Sequence, residues 1–358
     1  MPTASTLLTQ RLGIQLPIIQ APMAGVSTPA LAAAVSNAGG LGSLGIAAMT
    51  VDAARETITQ TRALTAKPFG VNVFCHAPAR RDAGIEAAWL AYLKPLFAHY
   101  DAEPPTSLRE IYQTYLLNDA MHAMLLQERP AVVSFHFGLP APERLSELKA
   151  AGIVLIASAT NADEAKAIES AGLDAIVAQG AEAGGHRGIF DVDAPDDRLS
   201  TVALTRLLVT RVDLPVISAG GIMDGAGIAA ALALGAQAAQ MGTAFVSCPE
   251  SAADDDYREA LRQPTVHTAF TKAISGRLAR GIRNRLSAWG EAAGHAVVPD
   301  YPLTYDAGKA LNAAAKAKGA SDCAAQWAGQ AAALSRGLPA ATLMAALTEE
   351  LARARSQP

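Results

Sequence analysis

The stretch Ala178-Gln-Gly-Ala-Glu-Ala-Gly-Gly-His-Arg-Gly188 carries more chemical variety than a turn requires. A histidine titrates near neutral pH, so His186 can exchange a proton with a substrate or donate a hydrogen bond to an anion. Gln179 offers an amide that both donates and accepts. Gly184 and Gly185 let backbone approach a ligand closely. Glu182 and Arg187 read as an ion pair that shapes the loop. Related groups recur at the ends of other apolar runs: Gln20-Ala-Pro-Met23, Asn72, His136, Ser158, Gly220-Gly221 and Gln240-Met-Gly-Thr243. No carboxylate cluster accompanies them, which argues against a site for a hard metal ion. The 3 cysteines, Cys75, Cys248 and Cys323, are too few and too scattered for a disulfide framework or a Cys-x-x-Cys metal site. Amides beside bare backbone suit a neutral heterocycle that carries a phosphate.

Such groups need a scaffold that gathers strand ends. Eight short apolar runs lie along the chain, starting at Pro17, Gly42, Phe69, Ala131, Ile153, Ala175, Pro215 and Ala239. Most are continuous rather than alternating, as in strands buried on both faces of a parallel sheet. Helical patterns separate them. Thr28-Pro29 opens one, and Asn161 with Glu164 three residues on resembles a capping box. Gly225 to Leu234 is a third. This alternation predicts an α/β protein of the (β/α)₈ barrel type, whose ligands sit at the C-terminal ends of the strands. The glycines of Ser218-Ala-Gly-Gly-Ile222 and Gln240-Met-Gly-Thr243 would then form the phosphate site after strands seven and eight. Gly40-Leu-Gly-Ser-Leu-Gly45 matches a dinucleotide fingerprint in letters only, because it follows a helix and enters a strand.

Two stretches interrupt the repeat, giving a barrel from residues 1–74, 131–247 and 311–358 and a helical cap from residues 75–130 and 248–310. Ser275 to Gly281 belongs to the second insertion. The alanine-rich stretch Ala320–Arg355 predicts an amphipathic helix against the outside of the barrel.

Composition bounds the function. Hydrophobic residues make up 51% and charged residues 17% of 358, so a large core is available. The net charge of −4 and scattered basic residues leave no footprint for nucleic acid. No apolar run reaches the ~20 residues that span a bilayer. A cytoplasmic, soluble protein is the expectation; oligomeric state is not legible.

Gln20-Ala-Pro-Met-Ala-Gly25, Gly70-Val-Asn-Val73, Val133-Ser-Phe-His-Phe-Gly138, the stretch Ala178 to Gly188, Ser218-Ala-Gly-Gly-Ile222 and Gln240-Met-Gly-Thr243 together resemble the nitronate monooxygenases, formerly 2-nitropropane dioxygenases. The resemblance runs from about Leu16 to Lys309. The Ser134-Phe-His-Phe-Gly138 and Tyr301-Pro-Leu-Thr-Tyr-Asp-Ala-Gly-Lys309 stretches are similar to the class I branch. The resemblance implies a barrel with a helical cap, non-covalent FMN, and oxidation of alkyl nitronates such as propionate 3-nitronate. Oxygen would be consumed, a carbonyl compound and nitrite formed by way of the flavin semiquinone, and nitro compounds detoxified. By matching motif, Met23, Asn72, Gln179, Gly184, Gly221, Gln240, Met241, Gly242 and Thr243 would contact FMN. His136, His186, Tyr112, Tyr301, Tyr305 and Lys309 would face the substrate, with His186 as the catalytic group. The other histidines, His76, His99, His122, His267 and His295, receive no role. The alternative on the same fold is an FMN-dependent NADH:quinone or enoyl-thioester reductase.

Overall fold

A computed structural model describes residues 7–356. Its frame is a ring of short parallel strands: β1 (Ile18–Gln20), β2 (Gly42–Gly45), β3 (Phe69–Phe74), β4 (Val132–His136), β5 (Val154–Ala159), β6 (Ala175–Gln179), β7 (Val216–Ala219) and β8 (Ala238–Met241). They are hydrogen-bonded in the order β1-β8-β7-β6-β5-β4-β3-β2, and a parallel bridge between Ile19 and Leu41 joins the two ends into a (β/α)₈ barrel. Nearly every strand residue is buried, which explains the continuous apolar runs: one face fills the barrel and the other meets the helices. Ile19, Val132, Ile156, Val177 and Ile217 fill the interior, and Leu8 and Leu12 of the helix Leu7–Leu12 belong to the same cluster.

Register decides where the polar residues arrive. Gln179 pairs with Ala219, Ala219 with Gln240, and Asn72 with Ser134 and Gly45, so their side chains share the C-terminal rim.

Local caps start the helices that hold this register. Thr28 accepts from Leu31 N–H before the helix Pro29–Asn37, and Asp224 accepts from Gly227 N–H at 2.8 Å before Gly225–Ala233. Asn161 accepts from Glu164 N–H at 2.9 Å, but Glu164 does not close the capping box. Its carboxylate instead accepts from Thr160, through both N–H and hydroxyl, and from Phe190 N–H at 2.9 Å.

Elements outside the ring differ from expectation in three ways. Helix Asp119–Glu128 lies in the outer layer against Val51–Leu64 and Pro142–Ala150, while Ala83–His99 packs through Trp89, Leu93 and Phe97 on Leu303–Ala317. The segment after β8 holds an antiparallel ribbon, Thr268–Thr271 with Ala279–Ile282, to which Gly185–His186 adds a third strand. Strands of four residues are too short to leave a clear period in sequence. Finally, the C-terminal helix begins only at Ala340 and runs to Ser356. The alanines before it form a strap, pinned where Gln330 N–H donates to Glu182 O at 2.9 Å and Gly329 N–H to Thr243 Oγ1 at 3.0 Å. Tertiary hydrogen bonds there outweigh helix propensity.

Candidate active site

A cavity of about 660 Å³ opens at the C-terminal rim. Met23, Asn72, Gln179, Gly184, Gly221, Gln240, Gly242 and Thr243 line it, as do His136, His186, Tyr112, Tyr301, Tyr305 and Lys309. Met241 is the exception. Its side chain is buried in the apolar cluster with Ile18 and Phe245, and its carbonyl accepts from Ala21 N–H at 2.9 Å.

One end of the cavity is backbone. Gly221 has φ +67°, a conformation glycine adopts without strain. A side chain on Gly242 would meet nothing nearer than Ala21 Cβ at 3.6 Å and Met23 Sδ at 3.8 Å, so the cavity reaches the main chain itself. Among the described residues, the N–H groups of Gly184, Gly221 and Gly242 donate to no acceptor. Unpaired backbone donors converging after β6, β7 and β8 fit the phosphate of a cofactor. Gly184 serves packing as well: a Cβ there would stand 2.6 Å from Ala328 C and Gly329 N.

The other end is aromatic. The ribbon holds His186 over the barrel mouth through the register Ala279 to His186. His186 Nε2 lies 2.9 Å from Ser275 Oγ, and Ser275 donates to Arg277 O at 3.1 Å. With the serine proton so directed, its oxygen accepts from His186 Nε2–H, which leaves Nδ1 as the free acceptor. Tyr301 and Trp327 stand 5.5 and 5.0 Å from the imidazole, ring centre to ring centre. Tyr301 Oη is buried without a partner. Burial, followed by the charges of His136, Arg277 and His76, lowers the His186 pKa from 6.5 to about 3. Burial alone drives Tyr112 up to about 12. Lys309 Nζ lies over the rings of Tyr112 and Tyr305, at 4.8 and 5.5 Å, and forms no ion pair among the described residues. Burial lowers its pKa against the pull of Asp306.

Two expected ligand contacts are already engaged with protein. His136 uses both ring nitrogens, Nδ1 with Ser158 Oγ at 3.0 Å and Nε2 with His186 O at 3.2 Å. Gln179 donates to the same carbonyl at 2.8 Å and accepts from Gly188 N–H at 2.7 Å. Both residues therefore hold the His186 loop while presenting an edge to the cavity. The expected pair of Glu182 with Arg187 does not form. Arg187, almost fully buried, binds Asp196 at 2.9 and 3.0 Å and Gln179 O at 2.7 Å; Glu182 accepts from Thr201. A buried guanidinium requires a matching fork of acceptors, and Asp196 supplies it.

Comparison with known proteins shows the family. Residues 5–350 match the family described as nitronate monooxygenase. The chain belongs to the nitronate monooxygenase family. It is thus an enzyme, an oxidoreductase. A nitronate monooxygenase of Paraburkholderia phytofirmans is 62% identical over 356 residues, covering 99% of this chain and 97% of that protein. One of Pseudomonas aeruginosa is 58% identical, covering 96% and 98%. The solved nitroalkane oxidase of Streptomyces ansochromogenes superimposes with TM-score 0.89 and 41% identity over 98% of this chain and 99% of that one.

Within this nitronate monooxygenase family member, sequence reasoning missed one wall residue, Trp327, and two residues behind the wall, Ser275 and Arg277. Trp327 sits in the strap that was expected to be helix. Ser275 and Arg277 belong to the ribbon turn, where Gly276 has φ +91° and no room for a Cβ beside Tyr301 N at 2.6 Å. The motif Ser275-Gly-Arg277 was visible, but nothing local ties it to His186. His76, given no role, stands 4.9 Å from Tyr301 ring to ring, with Nδ1 buried and unpartnered. His122 instead bridges Tyr115 and Glu147, both at 2.6 Å.

Proposed function

We propose that this chain binds FMN and uses oxygen to convert alkyl nitronates, with propionate 3-nitronate as the type substrate, into carbonyl compound and nitrite, detoxifying nitro compounds in the cytoplasm. The carrying observation is the pairing of a free backbone cradle, formed by the N–H groups of Gly184, Gly221 and Gly242, with a half-buried neutral histidine and an unpaired lysine across one cavity. Bound FMN supplies a one-electron acceptor and a route for that electron to oxygen.

The protein's own part follows from its residues. Tyr112, Tyr301, Tyr305 and Trp327 exclude water from the reacting carbon. Lys309 offers an uncompensated cation for the substrate's negative charge, including a carboxylate at its far end. His186 Nδ1 can accept an α-proton from a neutral nitroalkane, but a histidine held near pKa 3 is a weak base. The site thus favours substrates that arrive already deprotonated as nitronates. Helices Ala83–His99 and Leu303–Ala317, with the ribbon, act on this reading as the cap. No described helix is long and apolar enough to cross a membrane.

The purified protein is expected to be yellow and to release nitrite from propionate 3-nitronate under air. Colourless protein that fails to bind added FMN would sink the reading. So would flavin bleached by NADH in a protein that forms no nitrite, which would favour the reductase.

A further inference from the structure

A second pocket, of about 390 Å³, lies behind the barrel mouth between the segment after β8, the helix Asp255–Arg262 and the end of the strap. Ser247, Pro249, Arg258, Arg262, Ser335, Arg336 and Gly337 line it: three guanidinium groups, two hydroxyls and no carboxylate. Among the described residues eight buried side-chain polar atoms lack a hydrogen-bond partner, and three of them belong to this wall: Ser247 Oγ, Arg258 Nε and Ser335 Oγ. All three can donate, and the two hydroxyls can also accept. Ser247 is only 4% exposed.

Buried donors without acceptors are costly, each at about 1–3 kcal/mol, and folded chains rarely keep several in one place. An acceptor placed in the pocket would meet all three. The arginines have partners elsewhere: Arg258 donates to Ser251 O at 2.9 Å and lies 3.8 Å from Asp255, Arg262 donates to Glu259 at 2.9 Å, and Arg336 to Glu350 and to Met223 O. Those contacts orient the guanidinium groups without placing an acidic side chain in the pocket. A cavity lined by three guanidinium groups, two hydroxyls and no carboxylate suits a tetrahedral oxyanion, whose oxygens can each take a donor from serine or arginine.

We propose that this pocket is a binding site for a phosphate group, separate from the cofactor cradle. Its volume exceeds that of a bare phosphate, so inorganic phosphate and a small phosphomonoester are both accommodated. The pocket adjoins the cofactor loops, because Arg336 holds Met223 O directly and, through Glu350, the N–H of Gly225 at the start of the helix after β7.

The test uses the full chain saturated with FMN, so that added phosphate cannot report on the cofactor cradle. Titration calorimetry with inorganic phosphate, and separately with glycerol 2-phosphate, is expected to show one site at constant ionic strength, with chloride giving no heat. Ser335→Ala and Arg262→Gln, at half-buried and exposed positions, should each weaken binding about tenfold while leaving the flavin spectrum unchanged. Tighter binding of the ester would identify a phosphorylated metabolite as the occupant, and equal binding would identify free phosphate. Absence of binding beyond that of chloride, or full binding by the double variant, would overturn the proposal. If the protein does not retain FMN, the titration is made on the FMN-free protein; heat lost in the double variant then still supports the site.

Discussion

At the scale of single residues, the arrangement around His186 makes orientation the main requirement. Four groups act on it: Ser275 on Nε2, Gln179 and His136 on its carbonyl, and the ribbon on its backbone. Replacing His186 by Asn should keep the yellow complex and lower nitrite release from a neutral nitroalkane about 100-fold, the low end for a general acid–base group, with a smaller loss on a preformed nitronate; unaltered turnover of both would remove His186 from the chemistry. Ser275→Ala should lower kcat about tenfold with little change in KM, and Ser275→Thr should restore it. Loss in both variants alike would make the serine merely structural. Lys309→Met should raise KM for propionate 3-nitronate about 10- to 100-fold, from the ~1.5–3 kcal/mol of a hydrogen bond to a charged group. An alkyl nitronate without a carboxylate should lose less, and equal losses would place the carboxylate elsewhere.

At the scale of elements, close backbone approach decides which glycines matter. Gly184→Ala puts a Cβ 2.6 Å from the strap at Ala328 and Gly329, neither of which can rotate away. A loss of about 1–3 kcal/mol is expected in denaturant unfolding, typical of overpacking; unchanged stability would show the strap to be movable. Gly221→Leu instead combines a φ of +67° with a Cβ 3.2 Å from Glu182 Cβ. Faster flavin release on dialysis is the expected outcome, and normal retention would count against the cradle. The strands and most helices were legible because burial on both faces leaves apolar runs and caps leave local signatures. The ribbon and strap were not. The ribbon's strands are only four residues long, the partners of its third strand and of the strap are far away in sequence, and alanine content pointed the strap toward a helix it does not form.

At the scale of the whole molecule, buried His76 and half-buried His136 and His186 share one region. Burial first, then Arg277, lowers His76 from 6.5 to about 4; burial, Arg277 and Arg187 lower His136 likewise; His186 falls to about 3. Each folded-state pKa lies below its unfolded value, so the unfolded chain binds more protons between about pH 6.5 and 4. Stability must therefore fall as pH falls through that window, by about 2 kcal/mol per histidine at pH 5. Unfolding midpoints measured from pH 7.5 to 5 should show this decline, and His76→Asn should make it shallower. A flat profile would mean that these imidazoles are hydrated. The same shifts keep His186 neutral, so no histidine limb should appear in kcat/KM between pH 5 and 8.

Sequence by itself determined the barrel, and it supplied the strand-end groups, the glycines and the histidine that line one cavity, because these depend on local pattern and on a repeat that the chain states eight times. Tertiary structure alone decided that Arg187 pairs with Asp196, that Gln179 and His136 hold a loop, that Ser275 orients His186, and that Trp327 closes the wall. Those contacts join segments distant in sequence. Which of several chemically suitable partners a buried donor meets is set by where the fold places its backbone, and residue type alone carries no record of that.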